Sequence, residues 1–131
     1  MTSERSAASH QSPNRKSLSV VTPAFNEEQN LPVLYRRLCA VLDPLEVEWE
    51  WIVIDDHSRD ATFMVLSSIS ASDRRVRGVR FSRNFGSHAA LGCALSLAAG
   101  GCAVIIAADL QDPPEVIPTL VERWNRGAQV I

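Results

Sequence analysis

The chain has 131 residues, enough for one compact domain with its own core. Hydrophobic residues make up 46% and charged residues 21%, the balance of a globular protein rather than a low-complexity chain. The formal net charge of -2 excludes a whole-molecule electrostatic attraction to nucleic acid, so any anionic ligand must be held by a local site. Cys39, Cys93 and Cys102 lie in apolar segments without metal-type spacing. Their odd number argues against a disulfide framework, and reduced, packed thiols fit a cytosolic setting.

Residues 1–16 are polar and Ser-rich, with no apolar run after the first basic residue, and read as a disordered leader rather than a secretory signal. A single domain is expected over 17–131, incomplete at its C-terminus. The first strand is expected over 17–22, with Pro23 stopping it. Asn30 is placed to cap a helix with Pro32 in its first turn, and Leu31, Leu34, Leu38, Val41 and Leu42 recur at helical spacing up to Pro44. A second strand over 49–54 closes on Asp55-Asp56, and a short helix follows with Val65, Leu66 and Ile69 on one face. A third strand is expected over 76–81 and a helix of small residues over 86–99.

The fourth strand, 102–107, is nearly all apolar and is expected to be central. Residues 89–108 contain no charge and are long enough to span a membrane. Gly100-Gly101 and the β-branched Val104-Ile105-Ile106 point instead to a buried helix followed by a buried strand. Asp112 then caps a helix carrying Pro113 and Pro114 in its first turn, with Glu115 at the capping-box position and Pro118 set to kink it. Gly127 ends that helix, and residues 128–131 begin a fifth strand. Strands alternating with helices predict a doubly wound, mostly parallel α/β sheet in three α/β/α layers.

Ligands of such sheets bind beyond the carboxyl ends of the strands. There the sequence places Glu27, Glu28, Asp55, Asp56, Asp60, Asp109 and Asp112. Acids gathered in one crevice repel unless a cation or hydrogen-bond donors share the site. Mg²⁺ or Mn²⁺ takes oxygen ligands and bridges to a diphosphate, and carboxylates accept hydrogen bonds from ribose hydroxyls or base N–H groups. Neither a Gly-x-Gly-x-x-Gly nor a Walker-type Gly-Lys-Ser/Thr occurs, which argues against dinucleotide and P-loop enzymes. Asp60 and Asp112 fit helix capping, and Glu28 fits a solvated helix-start acid. Capping needs one carboxylate, so the adjacent pair Asp55-Asp56 is harder to account for in that way.

The segment Val20-Val21-Thr22-Pro23-Ala24-Phe25-Asn26-Glu27-Glu28 resembles the opening motif of family 2 glycosyltransferases with the GT-A fold. Val53-Ile54-Asp55-Asp56-His57-Ser58-Arg59-Asp60-Ala61-Thr62 resembles their second motif. Ser82-Arg83-Asn84-Phe85-Gly86 and Ala108-Asp109-Leu110-Gln111-Asp112-Pro113-Pro114-Glu115 resemble the polyprenyl-phosphate branch, which includes the dolichol-phosphate mannosyltransferases. The resemblance implies transfer of a sugar from a UDP- or GDP-sugar to a polyprenyl phosphate, with inversion, at the cytosolic face of a membrane. It implies a nucleotide-sugar site of Pro23, Phe25, Asn26, Glu27, Asp55, Asp56, Ser58, Arg83 and Asp109, with Asp109 and Gln111 holding Mg²⁺ or Mn²⁺ on the diphosphate. It names no catalytic base, since a phosphate acceptor is already anionic.

Three positions depart from the pattern. His57 stands at the glycine of the second motif and reads as an exposed spacer, Ala107 stands where Asp-x-Asp has its first acid, and Ser87-His88 replaces a Lys-Glu type pair. Among Arg74, Arg75, Arg77, Arg80 and Arg83, only Arg83 lies in a motif, and the others read as solvated charge. A non-catalytic nucleotide-binding remnant and a receiver-type phosphoacceptor domain remain as alternatives.

Overall fold

The computed structural model describes residues 16–125. The expected leader and fifth strand, and the helix end at Gly127, lie outside the described residues. In chain order the elements are β1 (Lys16–Ala24), α1 (Asn30–Leu42), β2 (Val47–Asp55), α2 (Thr62–Ser72), β3 (Val76–Arg80), α3 (Ser87–Leu97), β4 (Cys102–Ile105), a 3₁₀ turn (Pro114–Val116) and α4 (Ile117–Asn125). The four strands pair in the order β3-β2-β1-β4, all parallel. This is the expected α/β sheet, with helices on both faces.

Side-chain alternation along the strands builds two cores. Leu18, Val20 and Ala24 of β1 and Trp49, Trp51 and Val53 of β2 face α1, α2 and α4, joining Leu31, Leu34, Leu38, Leu66, Ile117 and Val121. The opposite parity, Val21, Ile52 and Ile54, faces α3 through Ala90 and Ala94. Small residues on α3 let it sit close to the sheet, as expected from its composition. Trp51 is fully buried, stacks on Tyr35 with ring centroids 6.2 Å apart, and donates its Nε1–H to Thr22 Oγ1 at 2.9 Å.

Several expectations are corrected. Pro23 does not stop β1, because the ladder to β4 ends at Val21–Ile105 while pairing with β2 runs on to Ala24–Asp55. Val21 and Ser17 turn their carbonyls toward the β4 side, so by alternation the missing N–H of Pro23 also faces that side, beyond the last β4 pair. Among the described residues β4 is an edge strand rather than a central one, and its Ala103 and Ile105 are exposed because α3 covers β1 and β2 instead. Most of α3 is exposed too, so residues 89–108 are a one-sided helix and a half-buried strand. No helix among the described residues is long and apolar enough to cross a membrane.

Asn30 is the first residue of α1, not its cap, and its amide donates to Glu27 Oε1. Asp112 does not cap a helix either: its carboxylate accepts the Ala107 amide at a long 3.4 Å. The chain tightens into a 3₁₀ turn before α4, where the Ile117 amide closes on the Pro114 carbonyl. An α-helical bond to that carbonyl would need the N–H that Pro118 lacks.

At the amino ends of the strands, Arg75 pairs with Asp73 at 2.9 Å and Asp43 at 2.7 Å and lies 4.0 Å over the Trp49 ring. Arg77 likewise pairs with Glu50. These arginines are structural ties rather than solvated charge. The Arg75 guanidinium holds the Asp73 carboxyl well below the usual carboxylate range, and that carboxylate pushes the Tyr35 hydroxyl far up.

Two outcomes are expected. Thr22→Val leaves the buried Trp51 N–H unpaired and costs about 1–3 kcal/mol in urea denaturation. Because the Asp73 pKa is depressed on folding, its stabilisation is present above the ordinary carboxylate value of about 4 and is lost as pH falls toward the depressed value. Asp73→Asn therefore flattens the acid limb of the stability–pH curve while lowering stability at neutral pH.

Candidate functional site

Each of the four strand-end loops contains one residue with positive φ: Asn26 (+56°) after β1, His57 (+61°) after β2, Gly86 (+97°) between β3 and α3, and Leu110 (+66°) after β4. Left-handed backbone is uncommon outside glycine, and for a bulky residue such as Leu110 it marks a constrained turn. The residues indicated by the sequence lie in these loops or, as Pro23 and Asp55 do, at the strand ends that lead into them.

Hydroxyl groups lock the first two loops together. Asp55 is fully buried, and its Oδ1 accepts both the Ser58 amide, at 2.9 Å, and the Ser58 hydroxyl. Ser58 Oγ in turn accepts the Asn26 amide at 2.8 Å, and Asn26 Oδ1 accepts the Arg59 amide at 2.9 Å. The pattern repeats one turn on. Thr62 gives its hydroxyl and amide to Asp60 Oδ1, and Thr62 Oγ1 accepts the Glu27 amide at 2.8 Å. Burial alone would raise the Asp60 carboxyl; the Thr62 hydroxyl and amide and the Glu28 amide outweigh it and hold the group below its ordinary value. Asp60 therefore does more than serve the start of α2, and Glu28 is not simply solvated, since its Oε1 accepts the Ala61 amide at 3.3 Å.

Asp56, 4% exposed, reaches the other way. Its two carboxylate oxygens accept the Phe85 and Gly86 amides at 2.7 and 2.9 Å, at the amino end of α3, where negative charge also meets the favourable end of the helix dipole. Gly86, at φ +97°, supplies the turn that aims both amides at one carboxylate. Arg83 lies on this loop, exposed, with its guanidinium 4.4 Å over the Phe85 ring.

Sequence reasoning missed Arg80. Its Nε lies 3.5 Å from Asp55 Oδ2, an ion-pair distance without hydrogen-bond alignment, so Oδ2 is a buried oxygen with no hydrogen-bond partner among the described residues. Its NH2 group also donates to the Ser58 carbonyl. The available signal was positional: Arg80 is the last residue of β3 and is in register with Asp55.

The acid pair is thus turned inward. Outward the site presents Phe25, Asn26, Arg83, Asp109 and Gln111 as exposed groups, with Pro23 and Glu27 half-buried. Leu110 packs on the main core, and its left-handed backbone leaves Asp109 and Gln111 on either side facing solvent. Asp109 Oδ1 accepts the Gln111 amide at 3.1 Å. The strand order reverses between β1 and β4, the place where a doubly wound sheet opens a crevice at its carboxyl ends. Cavities of about 230 and 290 Å³ at the opposite ends of the strands are lined by residues such as Ser17, Glu48, Trp49 and Arg75, and contain none of the residues indicated by the sequence.

Residues 19–131 match the model of glycosyl transferase family 2. The chain is 40% identical over 114 residues to a bactoprenol glucosyl transferase of Shigella phage SfV, covering 87% of this chain and 37% of that protein. It is 40% identical over 117 residues to an undecaprenyl-phosphate 4-deoxy-4-formamido-L-arabinose transferase of Aeromonas hydrophila, covering 88% of this chain and 36% of the relative. It therefore spans little more than a third of the length of these curated relatives. Among solved structures, glucosyl-3-phosphoglycerate synthase of Mycobacterium tuberculosis, in complex with Mn²⁺ and UDP-glucose, superposes with a TM-score of 0.66 at 29% identity, covering 86% of this chain and 40% of that one. A family match that begins in β1, on an α/β sheet of the GT-A type with the motif residues gathered at its strand ends, shows that the chain belongs to glycosyltransferase family 2.

Proposed function

We propose that this chain is the donor-binding part of a glycosyltransferase that moves a sugar from a UDP- or GDP-sugar to a polyprenyl phosphate with inversion. The observation that carries the reading is the division of labour among the acids. Asp55 and Asp56 are saturated or buried and hold the loops, while Asp109 stands exposed beside Gln111 near the reversal point of the sheet. The names of the two curated relatives support a lipid-phosphate acceptor, and the mycobacterial neighbour supports a nucleotide-sugar donor used with a divalent cation.

The exposed groups fit that donor. Phe25 and Pro23 offer an apolar wall for a base, with Asn26 and Glu27 at its polar edge. Arg83 brings positive charge to a crevice otherwise rich in acids. Asp55 acts through Ser58 and Arg80 on the loops that shape the pocket, and Asp56 acts through the 85–86 amides.

The fit to Mg²⁺ or Mn²⁺ follows from the donor set. No cluster of three or more His, Cys, Asp or Glu capable of holding a metal occurs among the described residues, and Ala107 supplies no carboxylate. Asp109 and the side-chain carbonyl of Gln111 would provide two oxygen ligands, which suits a hard cation that keeps waters and completes its shell with substrate phosphates. Such a cation, when bound, would stabilise the diphosphate as its leaving-group charge develops. This chain's part is to hold Asp109 outward through the left-handed turn at Leu110 and to keep the diphosphate near Arg83.

The strand order sets the receiver-type alternative aside. A flavodoxin-like sheet flanks its first strand with the second and third, whereas here β1 lies between β2 and β4. The nucleotide-binding remnant stays as the second reading, favoured by the alanine at 107.

Calorimetric titration with UDP-glucose and GDP-mannose, with and without Mn²⁺, tests the proposal. Binding strengthened by Mn²⁺ is expected, with Asp109→Ala removing the metal-dependent gain of about tenfold or more while leaving Tm unchanged, since Asp109 is exposed. Failure of a folded sample to bind any nucleotide sugar would overturn the reading, and binding without transfer to polyprenyl phosphate by the full-length protein would select the remnant. Asp56→Ala contrasts with Asp109→Ala: it strips a carboxylate from two amides and is expected to destabilise the fold by about 2–3 kcal/mol in denaturant melts.

A further inference from the structure

We propose that His57 is a positioning residue of the donor site, whose imidazole latches the loop after β2 to the loop after β3. The inference rests on the donor-site reading above and concerns a residue that stands where the resembling motif has glycine.

Three observations carry it. His57 is exposed and holds φ at +61°, a conformation glycine adopts freely and other residues adopt at a cost. Its ring is nevertheless not a free spacer, because Nδ1 lies 3.1 Å from the Phe81 carbonyl. A carbonyl only accepts, so Nδ1 carries the proton and donates, in the neutral ring as in the charged one. Lastly, Phe81 is the first residue after β3, at the root of the loop that carries Arg83. Its own amide donates to the Asp55 carbonyl at 2.9 Å, and the bond from His57 adds a second tie, at its carbonyl.

Besides the Phe81 amide and the Arg80 bond to the Ser58 carbonyl, the ties between these loops lie further along. Asn84 donates to the Asp56 carbonyl at 3.3 Å, and the Phe85 and Gly86 amides donate to the Asp56 carboxylate. Residues 82 and 83 are therefore suspended between the His57 latch at Phe81 and the Asp56 clamp at 84–86. Removing the latch leaves that end held by the Phe81 amide alone, and the span carrying Arg83 loosens. Glycine in this position would relax the backbone but could not make the tie. The left-handed turn at His57 is thus maintained by a side-chain contact whose effect falls on donor affinity.

Three variants of the full-length protein separate this from other roles. His57→Gly removes the latch and relieves the backbone. His57→Ala removes the latch and keeps the left-handed strain. His57→Asn tolerates the left-handed backbone and places an amide N–H donor at the branch position of Nδ1, but has nothing at Nε2. With UDP-glucose and Mn²⁺ as the probe, Kd is expected to rise about fivefold in the Gly and Ala variants and to stay within about twofold of wild type in the Asn variant, as loss of pre-organisation predicts. The Tm of His57→Gly is expected to equal or exceed that of wild type, a split between stability and affinity that a purely structural residue would not give. Amide exchange at residues 82–86, read without ligand, should speed about tenfold in the Gly and Ala variants and remain unchanged in the Asn variant.

Wild-type affinity in His57→Gly would overturn the latch. So would an Asn variant as weak as the Ala variant, which would assign the effect to Nε2 touching the donor. Absence of binding by wild type itself would bring down the donor-site reading, and the exchange data would then still show whether the two loops are tied through His57.

Discussion

Two adjacent carboxylates at the end of a buried strand must recover in hydrogen bonds what they lose in hydration, at a cost of several kcal/mol for each charge left unsatisfied. Asp55 and Asp56 do so by drawing in the surrounding loops. Asp55 takes the Ser58 amide and hydroxyl and an Arg80 contact, and Asp56 takes two amides at the start of α3. The turn after β2, the approach to α3 and the resting place of the loop after β1 all depend on these demands. A charge that must be satisfied thereby becomes a scaffold for exposed groups around it.

The same economy of donors explains the two hydroxyl relays. Ser58 and Thr62 each give a proton to a carboxylate and accept an amide from the loop after β1. A hydroxyl donates and accepts through one atom, whereas an ionised carboxylate only accepts. Asn26 and Glu27 are thus held by their backbone amides, and their side chains take the Arg59 amide and the Asn30 side chain, beside Phe25 at the mouth of the site. Pre-organisation of this kind lets a surface loop hold ligand groups without ordering them anew on binding.

On the other side of the reversal point the device is different. No hydroxyl relay holds Asp109 and Gln111; the left-handed turn at Leu110, with its side chain in the core, turns its neighbours outward. Arg37 on α1 forms a two-pronged pair with Glu115 and ties the end of the motif to the body of the domain. That pair is exposed, so its worth is geometric more than energetic.

Much of this was legible in one dimension. Alternation of strand and helix patterns gives the parallel sheet, and the acids at the ends of apolar runs mark its carboxyl edge, because period and composition are local properties. The family resemblance also rests on local motifs, in order, and those motifs do converge on one end of the sheet. Tertiary structure decided the rest. Whether an acid faces solvent or the loop amides depends on partners about thirty residues away, as for Asp56 with Phe85 and Gly86. Which strand lies at the edge depends on crossovers, so the edge position of the apolar β4 among the described residues could not be read from its own composition. The roles of Arg80 and His57 likewise follow from parallel register between β2 and β3, which sets Asp55 beside Arg80 and the next turn beside Phe81. The sequence by itself determined which residues gather at the carboxyl edge; only the fold decided which of them hold the loops and which face outward, because hydrogen-bond satisfaction of a buried charge is settled by neighbours in space.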